Sequence, residues 1–94
     1  MATVVLQAGN YSNQTATAQI TTRAGGLIGF YVNSTSSGTI VFRDGTASGT
    51  TITGTITPAI GWHALPVNYG TSGLHITVGG TLNVTIVYQP AVGP

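Results

Sequence analysis

Alternation of apolar and polar residues, interrupted at short intervals by turn formers, is the feature of this sequence that most restricts its fold. Segments with a period of two residues recur about every ten residues, between clusters of glycine, serine, asparagine and proline. Helix formers are scarce, and no window repeats its apolar residues at spacings of three and four. The pattern predicts an all-β fold, an antiparallel β-sandwich of about eight strands that resembles a jelly roll.

The predicted strands are joined by short loops in a single domain that covers residues 1–94. They comprise residues 3–7, 15–22, 27–32, 39–44, 50–57, 62–69, 74–78 and 81–88. Turns at residues 33–38 and at Gly79-Gly80 predict two hairpins. The second turn is tight, because paired glycines supply the positive φ that such a turn needs. Pro66 predicts an edge or bulged strand, since proline cannot donate to a ladder. Residues 90–94 are predicted to form a tail.

The most apolar segment, residues 27–32, is apolar on both of its alternating faces. A strand with this pattern is expected to be covered from two sides. We therefore predict that its second apolar face is completed by neighbouring copies of the chain. The predicted contacts with a partner or another copy are Leu27, Ile28, Phe30, Tyr31, Val32 and Trp62.

Charge is nearly absent from the chain. Charged residues make up 3% of the sequence, against about 25% in typical soluble domains. The set is Arg23, Arg43 and Asp44, and the net charge is +1. So few basic residues cannot form the positively charged surface that binds nucleic acid or an anionic membrane, so neither is predicted as a partner. Weak long-range repulsion between copies favours self-association.

Secretion and membrane insertion are not predicted. The first residues carry no basic group ahead of their short apolar run, which differs from a signal peptide. No apolar run approaches the about 18 residues of a spanning helix. Cysteine is absent, which excludes disulfides and thiolate sites. If the protein works outside a cell, we expect release by lysis or within a particle.

Enzymatic chemistry is not predicted either, and no catalytic residue, metal ligand or cofactor is assigned. Hydrolysis by paired carboxylates needs two acidic side chains. Apart from its C-terminal carboxylate, the chain has a single acidic group, Asp44. Asp44 with His63 or His75 could contribute to a Ser-His-Asp arrangement, but no Gly-x-Ser-x-Gly turn is present. The histidines fall on different predicted strands without metal-ligand spacing. An ion site would require one histidine repeated around a trimer axis.

Aromatic residues support an alternative function. Trp62, Tyr69 and Tyr88 could pack in the core or form a platform that stacks on sugars. The second interpretation predicts a carbohydrate-binding or adhesion module of a virion fibre or tail.

Threonine-rich and asparagine-rich patterns are less specific. Threonines at 51, 53, 55 and 57, and at 15, 17 and 21, would lie on single strand faces, as in ice-binding proteins. They also suit an ordinary solvent face. Four Asn-x-Ser/Thr matches begin at Asn10, Asn13, Asn33 and Asn83, and we interpret them as incidental because no secretory signal is predicted.

From Leu27 to Tyr88 the chain resembles a group of small phage structural proteins. The resemblance is carried by residues 29–40, Pro58, Gly61-Trp62, Leu65-Pro66, Gly73-Leu74, residues 78–82 and Val87-Tyr88. These residues match as turns and core, and residues 1–26 lie outside the match and could serve assembly.

The resemblance implies a head decoration, or cement, protein of a bacteriophage. Such a protein is a small β-sandwich that binds the outer surface of the capsid and stabilises the shell as a homo-oligomer, often a trimer. The implied partners are other copies of the chain and the major capsid protein. We therefore expect synthesis in the host cytoplasm and a final location on the virion.

Overall fold

The computed structural model describes residues 9–90, which form one antiparallel sheet. Its strands are β1 (Asn10–Gln14), β2 (Ala18–Thr21), β3 (Gly25–Asp44), β4 (Thr50–Thr51), β5 (Gly61–Tyr69) and β6 (Leu74–Pro90). The all-β, antiparallel prediction is confirmed. Within residues 9–90, six strands replace the predicted eight or so, and they hydrogen-bond into one open sheet rather than the separate layers of a jelly-roll sandwich.

Two long strands, β3 and β6, form the backbone of the fold. They pair from Gly25 opposite Pro90 to Asp44 opposite Leu74. Both predicted hairpins are therefore wrong, because residues 33–38 and Gly79-Gly80 lie within continuous strands and face each other across the pair. Each long strand unites two predicted strands. Pro90 belongs to β6, and the rest of the predicted tail, residues 91–94, lies outside the described residues.

The long pair bends sharply in its middle. The register shifts at three places along β3, between Leu27 and Gly29, between Val32 and Ser34, and between Ser36 and Ser37. Each shift adds an extra residue to β3, and bulges of this kind bend a strand and increase its twist. Ser37 has φ of 56°, and Gly80 has φ of 66°, so both sit in the left-handed region at the bend.

The bend brings the two ends of β3 together. Phe30 and Phe42 would be about 40 Å apart on a straight strand. Their ring centroids lie 5.0 Å apart. The core-facing surfaces of the two parts of the sheet therefore turn toward each other and share one hydrophobic cluster.

Short strands complete each part of the sheet. In the first half-sheet, β1 and β5 flank residues 81–90 of β6 and residues 25–34 of β3. In the second half-sheet, β2 and β4 flank residues 74–78 of β6 and residues 39–44 of β3. Ile56 adds one isolated bridge to Ile40. Each short strand pairs on one side only, so all four are edge strands.

Other strand predictions are confirmed in part. β5 matches predicted residues 62–69 and is an edge strand with a register shift beside Pro66. β2 is shorter than predicted, and β4 covers only the start of residues 50–57. The predicted strand at residues 3–7 lies outside the described residues. β1 was not predicted, and with β2 it brings part of the N-terminal segment into the sheet.

The buried core includes three of the residues that were predicted to contact a partner or another copy of the chain. Its buried apolar residues are Leu27, Phe30, Val32, Ile40, Phe42, Tyr69, Leu74, Ile76, Leu82, Val84 and Ile86. The bulge at Ile28 turns Leu27 to the same face as Phe30 and Val32, so these three residues pack inside the protomer. In the single protomer these three side chains are therefore inaccessible, and residues 27–32 do not present two bare apolar faces.

Candidate functional site

The outer surface of the first half-sheet carries exposed aromatic side chains. Asn13 lies opposite Thr85, Thr85 opposite Tyr31, and Tyr31 opposite Trp62, which makes one row across four strands. Paired residues share a face of a sheet, so these side chains point to the same side. Tyr11 stands in the next row, opposite Val87. Tyr11, Tyr31 and Trp62, here called the aromatic face, are exposed by 77%, 45% and 48%.

A glycine sets the position of the Trp62 ring. A Cβ added to Gly29 would lie 2.6 Å from Cζ2 and 2.7 Å from Cη2 of Trp62. It would also lie 2.5 Å from the carbonyl oxygen of His63 on β5. The indole therefore lies against the backbone of β3 at Gly29, in a space that only glycine leaves open.

Beside the aromatic face lies an amide cluster of Asn13, Asn33, Asn83 and Thr85. The Asn13 Nδ2 donates to Asn83 Oδ1 at 2.8 Å and to Thr85 Oγ1 at 3.0 Å. From the other side, the Asn33 Nδ2 donates to the same two oxygens, each at 3.1 Å. Two central acceptors are thus held between donors from β1 and β3, and this fixes all four side chains.

The sequence patterns identified this region only in part. Tyr31 and Trp62 were predicted contacts and are exposed, and Ile28 is half-buried. Tyr11 was missed because β1 was missed. The three asparagines each begin an Asn-x-Ser/Thr match that we interpreted as incidental, and pairing across β1, β6 and β3 brings them together.

The other predicted aromatic positions lie elsewhere. Tyr69 is buried in the core, and Tyr88 packs against it, so neither belongs to an exposed platform. Burial, and then the neighbouring Tyr88, raise the pKa of Tyr69 to about 12. Its hydroxyl is buried and has no hydrogen-bond partner among the described residues.

The ionisable residues hold structural positions. Asp44 accepts a hydrogen bond from the backbone N–H of Gly70 at 2.8 Å and thereby ties the β5–β6 loop to the end of β3. His63 donates from Nε2 to the carbonyl of Ala59 at 2.8 Å and stacks on Phe30. His75 is buried opposite Arg43, and burial followed by the Arg43 charge lowers the pKa of His75.

These positions do not assemble the considered Ser-His-Asp arrangement. Asp44 lies opposite Leu74, whereas His75 is the next residue along β6 and points to the other face of the sheet. His63 is on β5, against Phe30. Within residues 9–90, no group of three or more His, Cys, Asp or Glu side chains could hold a metal ion.

The threonine ladders are not formed as predicted. β4 ends at Thr51, and Thr53 instead accepts a hydrogen bond from the backbone N–H of Phe42 at 3.3 Å. Thr15 and Thr17 precede β2, and a register shift separates Gln19 from Thr21. Neither set therefore lies along one regular strand, as a flat threonine array would require.

The four edge strands carry no charged residue. Their sequences are NYSNQ, AQIT, TT and GWHALPVNY. Proteins commonly protect an edge with charged side chains, especially lysine, because the free N–H and C=O groups of an edge pair readily with another strand. Among residues 9–90, these edges are protected by short length, by Pro66 and by the register shifts in β2 and β5, and not by charge.

Comparisons with protein-family models, curated proteins and solved structures found no match. No helix among residues 9–90 is long and apolar enough to cross a membrane. The aromatic face, the amide cluster and the uncharged strand edges are therefore the features from which a function can be inferred.

Proposed function

We propose that this chain is a non-enzymatic phage capsid decoration protein that binds the outer surface of the head and stabilises the shell as a homotrimer. The observation that carries the proposal is the set of uncharged edge strands on an open sheet. The resemblance of residues 27–88 to small phage structural proteins gives the biological setting.

The position of these edges supports self-association. β1 and β5 lie on opposite sides of the first half-sheet. If β1 of one copy pairs with β5 of the next, the interface joins two different surfaces, and such interfaces close into rings when the rotation between copies permits. Three copies make the proposed ring. The added strands would complete the bent sheet into the sandwich expected from the sequence.

Low charge supports the same conclusion. A surface with two cations and one anion has little electrostatic repulsion to oppose close approach between copies or contact with a shell. In a trimer, three weak contacts with the major capsid protein act together, and such linkage raises the apparent affinity about 10²- to 10⁴-fold. No cofactor takes part in this proposal.

Co-sedimentation with heads tests the proposal. Phage heads that lack the protein are mixed with increasing amounts of it and pelleted, and the bound protein is quantified. We expect saturable binding, with a plateau in multiples of three copies per site. A chain that stays in the supernatant at every concentration would contradict the decoration role.

A further inference from the structure

The aromatic face and the amide cluster together suggest a ligand that the decoration role does not require. Asn83 Oδ1 and Thr85 Oγ1 each accept two hydrogen bonds, from Asn13 and from Asn33. Their acceptor capacity is therefore filled. The Asn83 amide N–H groups and the Thr85 hydroxyl hydrogen remain as donors, and the Oδ1 atoms of Asn13 and Asn33 remain as acceptors.

This set matches the hydrogen-bonding character of sugar hydroxyls, which donate and accept at once. The donors and acceptors are fixed before binding, because the four side chains hold one another, and a ligand loses less free energy in ordering them. The aromatic rings lie directly alongside, since Thr85 pairs with Tyr31 and Tyr31 pairs with Trp62. Aromatic rings offer an apolar surface for the C–H face of a sugar ring.

Charge and size favour a small neutral ligand over an anion or a protein. No charged side chain belongs to the rows that form this surface. Four strands and three rows of residues cover about 14 Å by 14 Å, or about 200 Å². A stable protein interface needs about 800 Å² from each partner, so this surface alone is too small for one.

We propose that the aromatic face and the amide cluster form a binding site for neutral carbohydrate. Trp62, Tyr31 and Tyr11 stack on sugar rings, and the amide cluster binds hydroxyl groups. The distance from Tyr11 to the Trp62 indole over Gly29 is about two interstrand spacings, or about 10 Å, which accommodates more than one sugar ring. The site is present on each protomer, so it does not depend on the decoration role.

The test uses the full chain and its single tryptophan. An array of neutral hexose and N-acetylhexosamine oligosaccharides is screened beside sialylated and sulfated glycans. The best neutral binder is then titrated in solution while Trp62 fluorescence is recorded. We expect retention of neutral oligosaccharides and a saturable blue shift of the emission, because stacking removes water from the indole.

Three variants test whether the sugar binds at this surface. Tyr31→Ala should lower the affinity about tenfold, and Thr85→Val, which keeps the shape but removes the hydroxyl, should lower it by about two- to tenfold. Ile60→Ala is the matched control, because Ile60 is an exposed apolar residue outside the sheet. Thr85→Val keeps the test decisive if Tyr31→Ala fails to fold.

Three results would overturn the proposal. The first is retention of no neutral oligosaccharide, or of acidic glycans alone. The second is equal affinity in Thr85→Val, Ile60→Ala and the unmodified chain. The third is loss of the sugar-induced emission shift in Ile60→Ala together with its retention in Tyr31→Ala, which would place the ligand away from this surface.

Discussion

Tyr69 is a residue whose ionisation the fold changes strongly. Its hydroxyl is buried without a partner, and its pKa rises from an ordinary value of 10.0 to about 12. The folded state therefore favours the protonated phenol. Because its pKa is higher in the folded protein than in the unfolded chain, Tyr69 contributes its full stabilisation of the folded state below pH 10. This contribution is lost as the pH rises from 10 to 12.

Replacing Tyr69 by phenylalanine removes this pH dependence. Near neutral pH, Tyr69→Phe should change the free energy of unfolding by less than about 1 kcal/mol, because the lost hydroxyl makes no hydrogen bond among the described residues. Between pH 10 and 12 the variant should gain stability relative to the unmodified chain. Urea unfolding at pH 8, 10 and 11.5 measures the difference, and parallel pH profiles for the two proteins would contradict the assigned burial.

At the scale of elements, the bend in β3 and β6 determines the architecture. Ser37 holds φ of 56°, which costs an L-residue about 1–2 kcal/mol, whereas glycine adopts it freely. Gly38, the next residue, is packed so closely that a Cβ would lie 2.5 Å from the carbonyl oxygen of Thr81 on β6. Both positions therefore favour glycine, position 37 for its φ and position 38 for the lack of space.

Two substitutions at the bend should change stability in opposite directions. Ser37→Gly relieves the strained φ but adds about 0.5–1 kcal/mol of entropy cost, so we expect a gain of about 0.5 kcal/mol. Gly38→Ala should destabilise by about 2 kcal/mol or more, because the backbone of the long pair must move apart. Thermal unfolding of both variants checks this, and a neutral Gly38→Ala would show that residues 33–38 do not pack against β6.

The sequence contained the evidence against a hairpin at Gly79-Gly80. In a two-residue hairpin, Val78 would pair with Thr81, and the apolar face of residues 74–78 would continue into Thr81, Asn83 and Thr85. The even-numbered residues instead remain apolar from Leu74 to Tyr88, apart from Gly80. An apolar pattern that keeps to the even-numbered positions on both sides of the glycines indicates one continuous strand with two glycines at a bend.

A bulge explains the wrong face assignment within residues 27–32. Strict alternation along residues 27–32 places Leu27 and Phe30 on opposite faces, whereas the extra residue at Ile28 places both in the core. Nothing in the local sequence distinguishes this bulge, because it depends on pairing with Tyr88 and Val87 far along the chain. The amide cluster was unpredictable for the same reason, since it needs three strands in register.

For the whole molecule, the expectation of self-association now depends on different evidence. The sequence argument relied on a second apolar face of residues 27–32, and the protomer buries Leu27, Phe30 and Val32 itself. The edges provide the remaining argument. β5 is the longest of them, and its exposed residues include Ala64 and Asn68 but no charged group.

The native mass in solution tests this claim most directly. Analytical ultracentrifugation should show a trimer for the unmodified chain and a shift toward monomer for Asn68→Lys, because a lysine on β5 disfavours pairing with another strand. Ala47→Lys adds the same charge in the exposed β3–β4 loop and should remain trimeric. A monomer at every concentration, or equal masses for the two lysine variants, would contradict association through the strand edges.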